Sequence, residues 1–424
     1  MPTYMKACFS NPSVIPQPDT RIGLHIFEKL FHAQLSKLTV GVLEFSGHGW
    51  STSYGNGQGH QAAIQVKDKA FYRKACLGGS LGIADSYADG DWDSPDLPSL
   101  FRLFLQNQDS MDNLDKGLAK AMNKMAKWMY DISLKNTVEG SRKNISLHYD
   151  LGNEFYELFL DPTMTYSCGI FEGENSTMQE ASLAKYDSIL EQLQVDGRHN
   201  LLEIGCGWGG FAIHAAQKTG CRVTGTTISK QQFEYAKKRV VQLGLEGSVD
   251  IVMTDYRQLE SQYDRVVSIE MIEAVGQDFL PTYFGRISDR LKPDGAALVQ
   301  GITMPDHRYK GYLKRVDYIR SRVFPGSCCP SVSAMVAAST QNTDLRPSSI
   351  TEIGRHYVRT LQEWRQKFTA NLGKIKDLGY SESFLRSWEY YLCYCEAGFA
   401  ENYTNNVHYM LTKPRYQAAL EKAA

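Results

Sequence analysis

The segment EIGCGWGG, Glu203–Gly210, has the residue types that point most directly to a bound ligand. It follows the apolar stretch NLLEIG and precedes GGFAIHAAQKTG, so the chain is expected to pass from a strand through a tight turn into a helix closed by glycine. Gly205, Gly207 and Gly209 let the backbone turn sharply and approach a ligand closely. An acid, Glu203, stands two residues before the first glycine. The glycine pattern alone is weak, but this context favours a nucleotide-type cofactor.

Two cofactors fit this turn, a dinucleotide and S-adenosylmethionine. A dinucleotide site needs an acidic residue about 20 residues further on, near the end of the second strand, to hold a ribose. That region reads GTTISKQQ and contains no acid. Asp255 instead ends the third predicted strand, in MTDYRQL, within reach of an adenine amino group. The residues therefore favour S-adenosylmethionine, with a dinucleotide as the alternative.

Strands and helices alternate from Asn200 onward. The segments CRVTGTTI, VDIVMTD and DRVVSIEMI are predicted as strands, and SKQQFEYAKKRVVQLG as a helix with Ser229 as its N-cap. KPDGAALVQGITM supplies a turn and a further strand. Strands that alternate with helices of about 12 residues indicate a parallel sheet with helices on both faces. From Asp306 onward the chain is predicted to be rich in helices and aromatic residues.

The N-terminal region has a different pattern. Leu38–Gly55 is predicted to form strands with glycine turns, and Gly79–Leu97 a short helix followed by an acidic loop. Leu114–Ile132 is predicted as an amphipathic helix with a lysine stripe that bridges two domains. A lysine stripe is most often a solvated face, but the methionine-rich opposite side also suits a helix at a lipid interface.

The overall composition excludes several classes of protein. A chain of 424 residues is too long for one simple core and indicates two domains. With a net charge of −1, the field of the whole molecule is too weak to select nucleic acid or an anionic membrane, so any electrostatic attraction must be local. Nine scattered cysteines without zinc spacing predict reduced thiols and no metal site. No apolar run approaches the roughly 18 residues of a membrane span, and the N-terminus lacks the apolar core of a signal peptide, so we expect a cytoplasmic protein.

A series of motifs, in this order, resembles the cyclopropane-fatty-acyl-phospholipid synthase family of methyltransferases. The motifs are HYDLGNEFYELFLDPTMTYSCGIF, LLEIGCGWGG, TTISKQQFEYA, MIEAVG, DYIRSRVFPG, HYVRTLQEW and YYLCYCEAGF. The resemblance covers roughly Gly79 to the C-terminus, and the series is much more specific than any one motif. Mycolic-acid modifiers of the same family resemble only the catalytic half. The N-terminal GSLGIADSYADGDWD therefore favours the branch that acts on phospholipids.

The resemblance implies that Tyr166 and Ser167 contact S-adenosylmethionine together with the glycine turn, Glu203 and Asp255. The candidate cofactor-binding set is completed by Thr227, Ser229, Gln232 and Tyr256. These residues follow three successive predicted strands.

The resemblance also implies a catalytic pocket that binds a bicarbonate ion. Its candidate residues are Cys168, Glu273, Gln300, Ile302, Tyr357 and Cys395. Cys168 is expected to line the pocket through its backbone and not to act as a nucleophile. Gln300 departs from the family, which often has histidine there; an amide can hydrogen-bond an ion but cannot titrate, which puts a histidine proton relay in doubt. Cys395 matches a cysteine once taken as a nucleophile, with a structural role as the alternative.

The chemistry implied by the resemblance explains the need for such a pocket. A cis alkene is a weak nucleophile that attacks the strongly electrophilic sulfonium methyl, and the attack leaves a carbocation on the acyl chain. Ring closure requires removal of a proton from the added methyl, and a bound bicarbonate would accept it. Aromatic faces at Tyr166, Phe171 and Tyr357 would stabilise the cation, and a dry pocket would keep water from it.

The expected architecture is a class I methyltransferase (Rossmann-like) doubly wound sheet with a smaller N-terminal α+β lipid-engaging domain. The expected domains are residues 1–135, which engage lipid, and residues 136–424, which form the methyltransferase with a helical substrate-pocket segment at about 305–380. The expected partners are an unsaturated phospholipid and the inner face of a membrane, bound peripherally, with a homodimer as a candidate assembly.

Three alternatives remain open from the sequence. The first is C-methylation that makes methyl-branched lipids. The second is N-methylation of a small amine, since plant amine methyltransferases resemble this family and would not need a bicarbonate pocket. The third is a non-catalytic lipid-binding scaffold.

Overall fold

The computed structural model describes residues 21–108 and 151–417, without the side chains of residues 21–24. Two compact units emerge: the first comprises Met1–Leu134, Gly311–Pro325 and Trp364–Tyr403, and the second Lys135–Lys310, Gly326–Glu363 and Thr404–Ala424. The first unit thus contains two segments that the sequence prediction places in the methyltransferase domain. The predicted helix Leu114–Ile132 lies outside the described residues.

The second unit is built on a seven-stranded sheet. Its strands are β5 (Asn200–Ile204), β6 (Arg222–Thr226), β7 (Val249–Val252), β8 (Tyr263–Ile269), β9 (Leu291–Thr303), β10 (Arg346–Glu352) and β11 (Asn405–Thr412). The strand order is β10-β11-β9-β8-β5-β6-β7. Strands β5 to β9 pair in parallel, and β11 is antiparallel to both β9 and β10. This is the doubly wound, Rossmann-like arrangement that the alternating pattern predicts.

Apolar side chains on both faces of the central strands explain why helices must cover the sheet. Leu201 and Val267 belong to one buried cluster, whereas Leu202 and Val266 belong to another on the opposite face. Short polar caps set the helix starts; Thr177, for example, forms a reciprocal capping box with Glu180. The helices of this unit are Asn153–Glu157, Met178–Gln192, Gly210–Thr219, Lys230–Gln242, Leu280–Arg290 and Val332–Thr340, with 3₁₀ turns at Tyr256–Gln258, Ile272–Ala274 and Gln277–Phe279.

The first unit contains a four-stranded sheet of order β2-β1-β3-β4. Its strands are β1 (Val42–Gly47), β2 (Trp50–Gly55), β3 (Gln61–Val66) and β4 (Trp92–Asp93). Aromatic rings fill the core beneath it, and the rings of Phe31 and Phe71 meet edge to face at 4.9 Å between centroids. Its helices are Arg21–Leu35, Ala70–Ala88, Leu97–Gln106, Leu372–Asp377 and Glu382–Ala400, with a π-helical turn at Ile319–Val323.

Two further helices, Asp306–Leu313 and Gly354–Ala370, contain residues of both units. In the part of the chain that the structure describes, no helix combines the length and the apolar character needed to cross a membrane.

The structure corrects two details of the sequence analysis. The short helix predicted from Gly79 is the second half of Ala70–Ala88, which bends at Gly79, where φ is 57° and ψ is −137°. The chain beyond Asp306 is rich in helices, as predicted, but it also contains β10 and β11, which complete the large sheet and were not predicted. Every residue of β10 is exposed, so this edge strand lacks the apolar alternation by which a strand is recognised.

The bend at Gly79 brings Gly82 against the preceding helical turn, and this close approach can be tested. A Cβ at Gly82 would lie 1.9 Å from the carbonyl oxygen of Lys74, whereas a Cβ at Gly78 would meet nothing within 4 Å. We expect Gly82→Ala to destabilise the protein by about 1–3 kcal/mol through overpacking. Gly78→Ala is the matched control and should be neutral or slightly stabilising. The two variants are compared by thermal unfolding; equal midpoints would contradict the assigned packing.

Candidate active site and cofactor pocket

The glycine turn between β5 and the helix Gly210–Thr219 has the conformation that its sequence suggests. Gly205, Gly207 and Gly209 all have positive φ, at 80°, 53° and 82°. The backbone N–H groups of Gly205 and Cys206 both donate to the carbonyl of Thr226 at the end of β6, at 3.0 and 2.9 Å. The turn is therefore fixed to the carboxyl edge of the sheet, where a ligand of this fold binds.

Two observations show that the turn is suited to a cofactor. A Cβ at Gly207 would project into space with no atom within 4 Å. Glu203 is 3% exposed, and one of its carboxylate oxygens, Oε2, has no hydrogen-bond partner among the described residues. Burial raises the pKa of Glu203 to about 8, against the charge of Lys185 and a hydrogen bond from the backbone of Ala212. An open cradle beside an unsatisfied buried carboxyl group fits a polar ligand.

The predicted cofactor contacts after β6 form a small polar cluster. Thr227 Oγ1 donates to Gln232 Oε1 at 3.0 Å, and the backbone N–H of Ser229 donates to Thr227 Oγ1 at 3.2 Å. Ser229 also caps the helix Lys230–Gln242, as predicted. All three side chains are buried. The cluster places polar atoms at the edge of the sheet next to the glycine turn.

Asp255 and Tyr256 follow β7 at the same edge. The Asp255 carboxylate, 1% exposed, accepts from the Arg257 backbone N–H at 3.0 Å and from both sides of its guanidinium, at 2.9 and 2.6 Å. This pairing fixes the carboxylate, and a role toward an adenine amino group stays a prediction. Tyr256 is half-buried, with its ring edge-on to Tyr283 at 5.8 Å.

Tyr166 and Ser167 lie in the segment between Asn153–Glu157 and Met178–Gln192. Ser167 is buried and accepts a hydrogen bond from Lys185 Nζ at 2.7 Å. Lys185 itself is fully buried. Burial lowers its pKa to about 8, while the carboxylate of Glu270 contributes most to opposing that shift. An ammonium group enclosed among carboxylates is a feature that the sequence analysis did not identify.

Glu270, also absent from the predicted set, receives the hydrogen bonds of the catalytic pocket. Its Oε1 accepts from the Cys168 backbone N–H at 2.9 Å, from Gln300 Nε2 at 2.8 Å and from Asn406 Nδ2 at 2.6 Å. Its Oε2 accepts from the Tyr357 hydroxyl at 2.6 Å. Four donors from four separate segments thus converge on one carboxylate. Three of them belong to residues predicted for the pocket.

A hydrogen-bond chain orients the amide of Gln300. Gln192 Nε2 lies 3.0 Å from His408 Nδ1, and His408 Nε2 lies 3.1 Å from Gln300 Oε1. Burial lowers the pKa of His408 to about 3, so the ring is neutral at physiological pH. A neutral ring that accepts from Gln192 must donate from Nε2 to Gln300. The Gln300 Nε2 group is thereby turned toward Glu270.

Glu273 lies in the 3₁₀ turn Ile272–Ala274 and is held beside β9. Its Oε1 accepts from the Ile302 backbone N–H, and its Oε2 is buried without a partner among the described residues. Burial, followed by repulsion from Glu270, raises the pKa of Glu273 to about 8. Glu273 therefore holds its proton more readily than a free glutamate, whereas the Glu270 carboxylate is surrounded by hydrogen-bond donors.

The two cysteines of the predicted site have different positions. Cys168 is fully buried, and burial holds the pKa of its thiol well above the usual value. Its backbone N–H donates to Glu270, and a role in lining the catalytic pocket stays a prediction. Cys395 lies on the helix Glu382–Ala400 in the first unit, and burial likewise raises its pKa. Neither thiol is primed to form a thiolate.

The family model described as mycolic acid cyclopropane synthetase matches residues 136–409 of this chain. The chain belongs to this family. It is 35% identical over 349 residues to the cyclopropane-fatty-acyl-phospholipid synthase of Escherichia coli, covering 80% of this chain and 84% of that protein. It is 33% identical over 358 residues to a tuberculostearic acid methyltransferase of Mycobacterium tuberculosis, covering 81% of each. The resemblance inferred from the motifs is confirmed.

Solved structures of the family confirm the fold. The cyclopropane synthase MmaA2 of Mycobacterium tuberculosis matches with a TM-score of 0.61 at 29% identity, over 64% of this chain and 98% of that one. The mycolic acid cyclopropane synthase CmaA1, solved with SAH and CTAB, matches with a TM-score of 0.60 at 30% identity, over the same shares of the two chains. This chain is therefore an S-adenosylmethionine-dependent methyltransferase of class I fold, which removes the dinucleotide and scaffold alternatives.

The cofactor assignment predicts a selective effect of Gly207→Val. The new side chain should occupy the open cradle and weaken S-adenosylmethionine binding at least tenfold, as measured by calorimetry. Gly244→Val is the matched control, since Gly244 also has positive φ, at 66°, with nothing within 4 Å of its Cβ position. The control should bind normally. Unchanged affinity in Gly207→Val would show that the cofactor does not meet this turn.

The raised pKa of Glu273 predicts how stability depends on pH. The folded state holds this proton up to about pH 8, whereas an unperturbed glutamate releases it near 4.5. The resulting stabilisation is complete below the lower value and is lost as the pH rises toward the higher one. Glu273→Gln has no such loss. As the pH rises from about 5 to about 8, we expect the thermal unfolding midpoint of Glu273→Gln to increase relative to that of the wild type. A difference between the two midpoints that does not change with pH would contradict the assignment.

Proposed function

We propose that this chain transfers a methylene group from S-adenosylmethionine to the cis double bond of an unsaturated phospholipid acyl chain. The observation that carries the proposal is the extent of the similarity to the Escherichia coli phospholipid synthase. That similarity covers 349 residues, whereas the family model covers only residues 136–409. It therefore includes sequence outside the catalytic region, which favours a phospholipid over a mycolic acid as substrate.

The residues of the second unit supply binding and orientation for this reaction. When bound, S-adenosylmethionine supplies an electrophilic sulfonium methyl group. The glycine turn and Glu203 hold the cofactor at the carboxyl edge of the sheet. The buried side chains around Glu270 keep water from a carbocation on the acyl chain. Tyr357 is a candidate for stabilising that cation, whereas one face of the Phe171 ring is covered by the Arg359 guanidinium, 4.3 Å from its centroid.

Two groups are candidates for the base that closes the ring. One is a bicarbonate ion, which the family resemblance implies. The other is a carboxylate of the chain itself. Ring closure breaks a C–H bond of the added methyl, its electron pair forms the second C–C bond of the ring, and the released proton would go to the base.

A second candidate function is methyl branching of the acyl chain. It is favoured by the 33% identity to the tuberculostearic acid methyltransferase over 81% of this chain. A saturated branch requires a further reductant after methyl transfer. N-methylation has weaker support, because the coclaurine N-methyltransferase that resembles this chain in structure is only 20% identical, which speaks for the fold alone.

The proposed substrate also implies where the chain acts. The double bond of a phospholipid lies inside a bilayer, so the protein must dock on the membrane surface and draw the acyl chain into its pocket. We propose peripheral binding at the inner face of the membrane, with the N-terminal unit engaging lipid. A homodimer is a further candidate and stays a prediction.

The proposed function is tested with the purified full chain, S-adenosylmethionine and vesicles of unsaturated phospholipid. We expect the protein to sediment with the vesicles and the acyl chains to gain one CH₂ unit with loss of the double bond, as detected by mass spectrometry and proton NMR. Saturated phospholipid is the control and should give no product. A methyl branch in place of a ring would favour the second candidate, and release of S-adenosylhomocysteine only with an added amine would overturn the proposal.

A further inference from the structure

In the pocket expected to hold bicarbonate, side-chain carboxyl groups of the protein already accept the hydrogen bonds that the ion would need. The Cys168 backbone N–H, Gln300 and Tyr357 all donate to Glu270. The remaining expected donor, the Ile302 backbone N–H, is bonded to Glu273. Every donor that the resemblance assigns to the ion is thus paired with a protein carboxylate.

A separate bicarbonate does not fit beside these groups. It would bring another negative charge next to Glu270, and charges in a low-dielectric interior repel strongly unless donors compensate them. The available donors are engaged. Burial raises the pKa of Glu273, and repulsion from Glu270 adds to the same shift.

We propose that the Glu270 carboxylate takes the place of bicarbonate and is the base that closes the ring. This inference rests on the proposed function. The C–H bond of the added methyl breaks, its electron pair forms the second C–C bond of the cyclopropane, and the proton passes to Glu270 Oε2. The positive charge of the acyl chain and the negative charge of Glu270 disappear together. The proton then leaves to water, which restores the carboxylate.

The hydrogen bonds of Glu270 suit it to this task. Oε1 accepts from three donors, whereas Oε2 accepts from Tyr357 alone among the described residues, which leaves a lone pair for a proton. A carboxylate so strongly bonded is a poor nucleophile, which reduces the risk that the cation alkylates it. The proton transfer is favourable because a proton next to a carbocation is extremely acidic.

The backbone at Glu270 carries a second, independent sign of a functional constraint. Its φ is +49°, in the left-handed region that non-glycine residues seldom occupy. Such a conformation costs on the order of 1–3 kcal/mol and persists where the surroundings enforce it. Here it turns the side chain back toward donors on other segments. Glycine would adopt this backbone without strain.

These features allow a test by removal and by replacement. Glu270→Gly removes the carboxylate and relieves the backbone strain of the positive φ. It leaves four hydrogen-bond donors around a space in which bicarbonate can bind. Glu270→Gln keeps the volume filled, because its Oε1 can accept from the three donors and its amide can face the Tyr357 hydroxyl, but it cannot accept the proton. Gln194→Gly is the matched control, since Gln194 also has φ of +49° and is exposed outside the site.

Turnover is measured as the cyclopropane formed in vesicles of unsaturated phospholipid, detected by proton NMR, in buffer purged of carbonate and then with added bicarbonate. We expect the wild type and Gln194→Gly to show the same rate in both. Both Glu270 variants should lose a factor on the order of 10² without bicarbonate. Bicarbonate should restore Glu270→Gly at least tenfold and leave Glu270→Gln unchanged.

Thermal unfolding with bicarbonate alone provides a readout that does not depend on activity. Saturable stabilisation of Glu270→Gly, absent in the wild type and in Glu270→Gln, would support the assignment even if the lipid substrate were wrong. If the wild type were inactive on every unsaturated phospholipid, the proposed function would be refuted. The stabilisation of Glu270→Gly by bicarbonate would still be valid evidence for the role of Glu270. A wild type that slows in purged buffer, or a Glu270→Gly variant as active as the wild type without bicarbonate, would overturn the inference.

Discussion

The carboxylate of Glu270 imposes the strictest constraint on the second unit, because a partly buried charge is stabilised only when donors surround it. Those donors come from the Cys168 loop, from β9, from the helix Gly354–Ala370 and from β11. Each element must therefore be correctly placed before the charge is stabilised. Fold and site are coupled through this one group, so the catalytic pocket is also a test of correct assembly.

The same constraint extends beyond the direct contacts. Gln300 presents its amide correctly only because neutral His408 holds the opposite end, and Gln192 fixes His408. The buried ammonium of Lys185 contributes to the balance of charge from the helix Met178–Gln192. Gly301 lacks a side chain where a Cβ would come within 2.6 Å of Ile272, which lets the turn bearing Glu273 lie against β9. The pocket is thus positioned by residues that never need to meet a substrate.

Much of this architecture could be predicted from the sequence, since it depends on local patterns. The apolar strands, the glycine turn and the N-cap at Ser229 each follow from a few neighbouring residues. Glu270 could not be recognised in this way, because SIEMI looks like the end of a strand and Glu273 is the acid that the family motif contains. Its significance comes from partners as distant as Asn406, 136 positions away. Lys185 had a detectable signal, as its neighbours along the helix at Ala181 and Ile189 are both apolar and buried.

The left-handed backbone at position 270 also has an evolutionary aspect. Every codon for glutamate becomes a codon for glycine by one change, at its middle base. At most positions that change would leave an over-flexible chain, but here the conformation suits glycine better than the residue it replaces. A single point mutation at position 270 therefore separates an enzyme whose base is its own side chain from one whose base must be an anion bound from solution.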